Sequence, residues 1–423
     1  MKVTMFSQVP YRRLPHDFEK KYDSVVTTPW DLVDPEEVHA AFRDSLDEQL
    51  FAARSGFDGV AFTEHSQSAY DMAPNPNLLC SALAYATDVE GLNVAIYPVG
   101  RSLGKAREPV RVAEEYAMID AISGGRLIAG FPVGLAYDAN INNGVPPIET
   151  RARFDENLTL VLKAWQEREP FAWNGKFSQH SAVNIWPRPV QQPRPPVWIT
   201  GIGNPVTMKF TLENGYGFNY FGWFGYKLTG KRIFDRFWEI ADQVGQPRNP
   251  YRLSFLHAVC VGDTDADAER EYAPHIAYFF NKGLGSIPLE RLALPGGIGL
   301  PGLHAILRDP GDFGLYLKMR TATFKEIVDA GCVIVGGPDT VADLLSQVAR
   351  DFRIGHLVPM LQLGSMPREL ALKNVRLFAE RVLPRLHRIW ADEGWDNYWW
   401  PERLGGKRPE YQRPEEARTL ERI

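Results

Sequence analysis

The chain has 423 residues, 44% hydrophobic and 23% charged, ordinary proportions for a folded globular protein with enough apolar material for a substantial core. Its formal net charge of -5 argues against a duplex nucleic-acid binder, which needs a basic footprint. No window approaches the ~18 consecutive apolar residues of a membrane span, and residues 1–6 turn polar too early for a signal peptide.

Strands alternate with amphipathic helices, the pattern of a parallel sheet. Residues 3–6 read as a first strand and the polar, Pro-containing 8–33 as a loop. Asp34-Pro35-Glu36-Glu37 opens a helix with an N-cap, a proline at the first helical position and acids in the first turn. Val38, Phe42, Leu46, Leu50 and Ala53 follow at helical spacing, and Gly56 ends it. Further strands are expected at 58–63, 92–97, 126–131, 197–200, 217–221, 252–261 and 356–363. Helices fall at 77–88, 109–122, 150–167, 205–214, 232–244, 265–280, 341–352 and 367–386. Residues 171–196, rich in Pro, Trp and Gln, read as an irregular excursion or hairpin. A Gly/Pro-rich insertion at 281–320 is too long for a plain loop unless it covers a site or is mobile. The length fits one large α/β barrel as well as two medium domains; with eight strands in alternation the expected fold is α/β, one (β/α)₈ TIM-type barrel over 1–388 with that insertion before the last strand and a C-terminal extension over 389–423. The extension, with Trp395, Tyr398, Trp399 and Trp400, reads as a surface arm or a subunit contact. Cys80, Cys260 and Cys332 match neither a zinc spacing nor a disulfide framework, so buried free thiols in a cytoplasmic protein, and no metal site, are expected.

In a parallel barrel the chemistry gathers at the C-terminal strand ends. Glu64-His65 directly follows the second strand; an imidazole there can orient a substrate or move a proton, or be a capped structural histidine. Tyr97-Pro98 ends the third strand, where an X-Pro bond tolerates a cis turn under a flat ring, or a trans proline ends the strand. The turn Gly201-Ile202-Gly203-Asn204-Pro205-Val206-Thr207 brings flexible backbone and a helix N-terminus together, as a phosphate cradle or a tight capped turn. Gly336-Gly337-Pro338-Asp339-Thr340 carries the same ambiguity. Arg101, Lys105, Arg107 and Arg111 form a basic cluster that either meets solvent or faces an anion. Phe6, Tyr97, Trp223 and Phe224 suit an apolar substrate and ring pocket as well as they suit core packing.

Together these segments resemble the bacterial-luciferase-like family of flavin-dependent monooxygenases. The resemblance covers about 1–386. It is carried by Gly56-Phe57-Asp58-Gly59-Val60-Ala61-Phe62-Thr63-Glu64-His65, by Pro109-Val110-Arg111-Val112-Ala113-Glu114 with Asp120-Ala121-Ile122-Ser123-Gly124-Gly125-Arg126, by the turn at Asn204 and Thr207, and by Val335-Gly336-Gly337-Pro338-Asp339-Thr340. It implies reduced FMN across the strand ends, held near Glu64, Tyr97, Pro98, Gly203, Asn204 and Thr207, with His65 as the active-site histidine. It also places an unusual cis peptide at Tyr97-Pro98. Two departures stand out: Ser66 replaces a second histidine, and Val133 stands where luciferases carry a phosphate-holding arginine, which passes that role to Arg101 or Lys105.

The function implied is a two-component monooxygenase: a partner flavin reductase supplies reduced FMN, oxygen adds to give a flavin hydroperoxide, and a small organic molecule is oxidised. The alternatives are a deazaflavin-dependent hydride-transfer enzyme on the same barrel and a non-catalytic flavin-binding relative. A homodimer through helices 77–88 and 109–122 is the family expectation.

Overall fold

The computed structural model describes residues 1–222, 225–287, 315 and 318–408. Trp223, Phe224, most of the 281–320 insertion and the residues after 408 lie outside the described residues. In chain order the strands are β1 (Lys2–Ser7), β2 (Gly59–Phe62), β3 (Ala95–Pro98), β4 (Ala129–Gly130), β5 (Phe171–Asn174), β6 (Gln179–Val183), β7 (Val197–Gly201), β8 (Gly217–Phe221), β9 (Leu253–Val261), β10 (Val333–Gly336) and β11 (His356–Met360).

The main sheet runs β3-β2-β1-β11-β9-β8-β7-β4, every neighbour parallel. It closes where Ile96 bridges Leu127 just before β4, through Ile96 N–H to Arg126 O and Ile128 N–H to Ile96 O, both 2.9 Å. The result is the expected eight-stranded (β/α)₈ barrel. Alternation along the strands fills its interior with Phe6, Ala61, Tyr97, Trp198, Leu256 and Val358. The intervening positions, such as Val60, Ile96 and Ile199, pack against the helices.

Three expectations need refinement. The strand at 126–131 shortens to β4, whose preceding residues only bridge. The 171–196 excursion contains the antiparallel hairpin β5–β6. An unanticipated strand, β10, pairs with Ala258–Val261, because β9 outruns β11, which pairs only as far as Ala258. An unpaired row of buried N–H and C=O groups is costly, so residues 333–336, after the insertion, supply a partner.

The extension packs on the N-terminal mouth of the barrel. Trp198 Nε1–H donates to Trp399 O at 2.9 Å, Trp399 Nε1–H donates to Gly215 O at 3.0 Å, and the Trp400 ring lies 5.4 Å from that of His356. Asn397 bonds His356 Nε2 at 3.2 Å. The quoted stretch ending in Gly124-Gly125-Arg126 proves to be a helix-to-strand joint. Buried Arg126 donates to the carbonyls of Ser123, Val94 and Leu92, and Asp120 accepts from Gln191. The three cysteines are buried and free. No helix among the described residues is long and apolar enough to cross a membrane.

Candidate active site

At the opposite mouth, the loops after β1, β2, β3 and β4 interlock around one histidine. His65 N–H donates to Ala73 O at 3.1 Å, which folds the loop after β2 back on itself. Asp71 Oδ1 accepts Ala73 N–H and Val9 N–H, both at 3.1 Å, tying the exit of β1 to the exit of β2. Asp71 is fully buried, its Oδ2 has no hydrogen-bond partner among the described residues, and burial pushes its carboxyl up to about 7.

The His65 ring is buried, 9% exposed as a residue. Its Nδ1 lies 2.8 Å from Asp138 Oδ2 and 2.8 Å from the Tyr137 hydroxyl, which in turn bonds the Tyr70 hydroxyl. Tyr137 and Asp138 begin a wide π-type turn, Tyr137–Asn142, a local geometry that recurs at functional sites. Ser66 N–H donates to Asp138 Oδ1 at 2.7 Å. Burial works to neutralise Asp138, but His65, Lys105 and that amide outweigh it and hold the carboxyl below its ordinary value.

Beneath this pair lies a charged layer. Glu64 accepts Ser102 N–H at 3.2 Å and pairs with Lys105 at 2.7 Å and Arg101 at 3.4 Å. Lys105 also bonds Ser66 Oγ at 3.0 Å, and Arg101 also pairs with Glu115 at 3.4 Å. Both cations expected to meet a phosphate thus already neutralise buried carboxylates, which would be left uncompensated without them. The loops after β3 and β4 pack closely: a Cβ at Gly100 would stand 1.9 Å from Gly130 O, and Ser102 Oγ–H donates to Val133 O at 2.9 Å.

Around the same rim, Gly203 takes φ +101° and Asn204 caps the helix Pro205–Glu213 by accepting Val206 N–H. Thr207 Oγ1 accepts Arg151 Nη1–H at 3.0 Å. Arg151 sits in the first turn of Thr150–Gln166, lies over the Phe154 and Phe210 rings, and its Nη2 has no partner among the described residues. The two halves are joined: Asn140, in the turn that holds Asp138, donates to Thr150 Oγ1 at 2.8 Å, next to Arg151.

A small apolar cavity of about 10 Å³, the room of about one water, lies beside Tyr70, lined by Pro10, Leu14, Tyr278, Phe279 and Gly364. Phe6 and Tyr97 sit in the barrel interior instead, Phe6 1% and Tyr97 3% exposed. The Tyr97–Pro98 bond is trans, against the expected cis turn; among the described residues the cis peptides are Trp186–Pro187 and Gln192–Pro193. The reason is pairing: Pro98 stays in register with Phe62, and Val99 N–H donates to Phe62 O at 2.9 Å, so the strand continues extended through the proline.

The structure therefore brings Glu64, His65 and Arg101 together, and Gly203, Asn204 and Thr207 together. Sequence reasoning missed Tyr70, Asp71, Tyr137, Asp138 and Arg151. Arg151 carried only a weak signal: a cation in the first helical turn opposes the macrodipole, but Asp155 one turn on already pairs with its Nε at 3.0 Å and leaves Nη2 over. Asp138 carried none beyond its place after the fourth strand.

A family model described as luciferase-like monooxygenase matches residues 25–353. The chain is 30% identical over 167 residues to the oxygenase component of a flavin-dependent trigonelline monooxygenase from Acinetobacter baylyi; the match covers 39% of this chain and 44% of that relative, less than half its length. It is 25% identical over 321 residues to 3,6-diketocamphane 1,6-monooxygenase of Pseudomonas putida, covering 69% of this chain and 78% of the relative. The solved oxygenating constituent of 3,6-diketocamphane monooxygenase, a type II Baeyer-Villiger enzyme in complex with FMN, superposes with a TM-score of 0.67 at 20% identity, covering 91% and 98% of the two chains. An F420-dependent secondary alcohol dehydrogenase superposes at 0.61 with 14% identity, covering 91% of this chain and 98% of its own. These two structures are similar in fold.

Proposed function

The chain belongs to the luciferase-like monooxygenase family, and from that premise we propose that it is the oxygenase component of a two-component system. It takes reduced FMN from a separate flavin reductase and uses it with molecular oxygen to oxidise a small organic substrate. The observation that carries this reading is that a buried imidazole with an ionised partner and a glycine-lined helix start with a cation beside it share one rim. The naming of one relative as an oxygenase component supports the division of labour.

Reduced flavin, when bound, supplies the electrons that activate oxygen. The residues fit its phosphate: Gly203 permits close backbone approach, Thr207 offers a hydroxyl, and Arg151 offers an unpartnered N–H in place of the arginine lost at Val133. His65 holds or moves the proton. The cluster of Tyr11, Leu14, Phe18, Val25, Val26, Tyr70 and Tyr137 keeps water from the His65 side, which strengthens every charge interaction there. Exposed Leu78 and Tyr85 on Pro76–Val89 and Met118 on Pro109–Ile122 suit a homodimer.

The test is anaerobic mixing with reduced FMN followed by oxygen. Reoxidation altered from that of free flavin, and altered again by a turned-over substrate, is the expected outcome; kinetics identical to free flavin overturn the proposal. Tight deazaflavin binding with no oxygen uptake would reassign the protein to hydride transfer.

A further inference from the structure

We propose that Asp138 is a positioning residue that keeps the His65 proton on Nδ1 and leaves Nε2 as the nitrogen that exchanges a proton at the site. This rests on the reading of His65 as the proton-handling group and adds which of its nitrogens works and what decides it.

Two groups compete for Nδ1 at the same 2.8 Å: a carboxylate oxygen of Asp138 and the Tyr137 hydroxyl. The nitrogen can either donate its proton to the carboxylate or accept one from the tyrosine, not both. Charge decides between them. A bond to an ionised acceptor is roughly twice as strong as a neutral one, and a buried carboxylate that loses its donor is left uncompensated.

The surroundings keep Asp138 ionised. Its Oδ1 takes Ser66 N–H at 2.7 Å and faces the Lys105 ammonium at 3.7 Å, while Oδ2 is left for the imidazole. The other charged or titratable neighbours, Glu64 and Asp71, are engaged elsewhere: Glu64 with Lys105, Arg101 and Ser102 N–H, Asp71 with two backbone amides. Because one carboxylate grips both the ring of His65 and the amide of Ser66, it sets the ring orientation together with the tautomer. The Tyr137 hydroxyl then serves as a second acceptor, and its link to Tyr70 carries the hydrogen-bond chain to the wall of the small apolar cavity.

The experiment is ¹⁵N NMR of the full chain with labelled histidine, near neutral pH, on wild type, Asp138→Asn, Asp138→Glu and Tyr137→Phe. The expected wild-type spectrum shows His65 protonated on Nδ1 and bare on Nε2, and Tyr137→Phe keeps it. In Asp138→Asn the carboxamide can donate to Nδ1, so the tautomer reverses and turnover falls about 10²-fold, with FMN affinity and melting temperature nearly unchanged. Asp138→Glu restores the tautomer and part of the turnover. A wild-type Nε2–H tautomer, or an Asp138→Asn chain with wild-type tautomer and turnover, overturns the proposal. The wild-type spectrum decides even if Asp138→Asn does not fold, and it decides independently of whether reduced flavin binds.

Discussion

The two mouths of the barrel each bury a histidine, and they treat it in opposite ways. At the N-terminal mouth His356 sits among Trp198, Tyr251 and Trp400 with the neutral amide of Asn397 as its polar partner. Burial there pushes its imidazole down to about 3, so it stays neutral and serves packing. At the C-terminal mouth His65 has Asp138 on one nitrogen and a layer of Glu64, Lys105 and Arg101 below. The same side chain is a plug in one place and, in the function proposed above, the proton-handling group in the other. Burial alone does not distinguish them; an ionised partner does.

That contrast can be broken by substitution. The largest expected effect is at the rim: His65→Ala lowers turnover per folded molecule about 10³-fold. Unchanged turnover would remove His65 from the mechanism. At the base the pattern inverts. Trp400→Ala destabilises the fold by about 3 kcal/mol, measured by denaturant unfolding, while turnover per folded molecule is retained.

A smaller effect sharpens the comparison through pH. The folded pKa of His356 lies below its unfolded value of 6.5, so the unfolded chain binds the extra proton. Stability from this group is intact above pH 6.5 and is lost as pH falls from there toward 3. In a plot of unfolding free energy against pH, His356→Gln flattens that limb by about 1.4 kcal/mol per unit. The smallest effect is at the cradle. Arg151→Ala weakens FMN binding about tenfold and riboflavin binding hardly at all, read by flavin fluorescence; equal losses would place Arg151 away from the phosphate.

Much of this was legible in the residues. The 3.6-residue and alternating apolar periods gave the barrel, because each element must bury one face and the period says which. The strand-end rule then put Glu64, His65, Gly203, Asn204 and Thr207 on one rim. The trans bond at Tyr97–Pro98 was not legible, since ladder pairing with Phe62 settles it and a proline permits either isomer. Nor was β10, which exists because β9 overshoots its neighbour.

The sequence by itself determined the order of the eight barrel strands and their helices, the family and the place of the rim histidine, because periodicity, caps and strand-end motifs are local properties of the chain. Only the tertiary structure decided who stands beside that histidine. Asp138 lies 73 residues away along the chain, and Arg151 lies 56 from Thr207. Which carboxylate is ionised, which cation is already paired and which aromatic seals the base all depend on burial and distance across the barrel. Those quantities come into being only when remote segments close on one another.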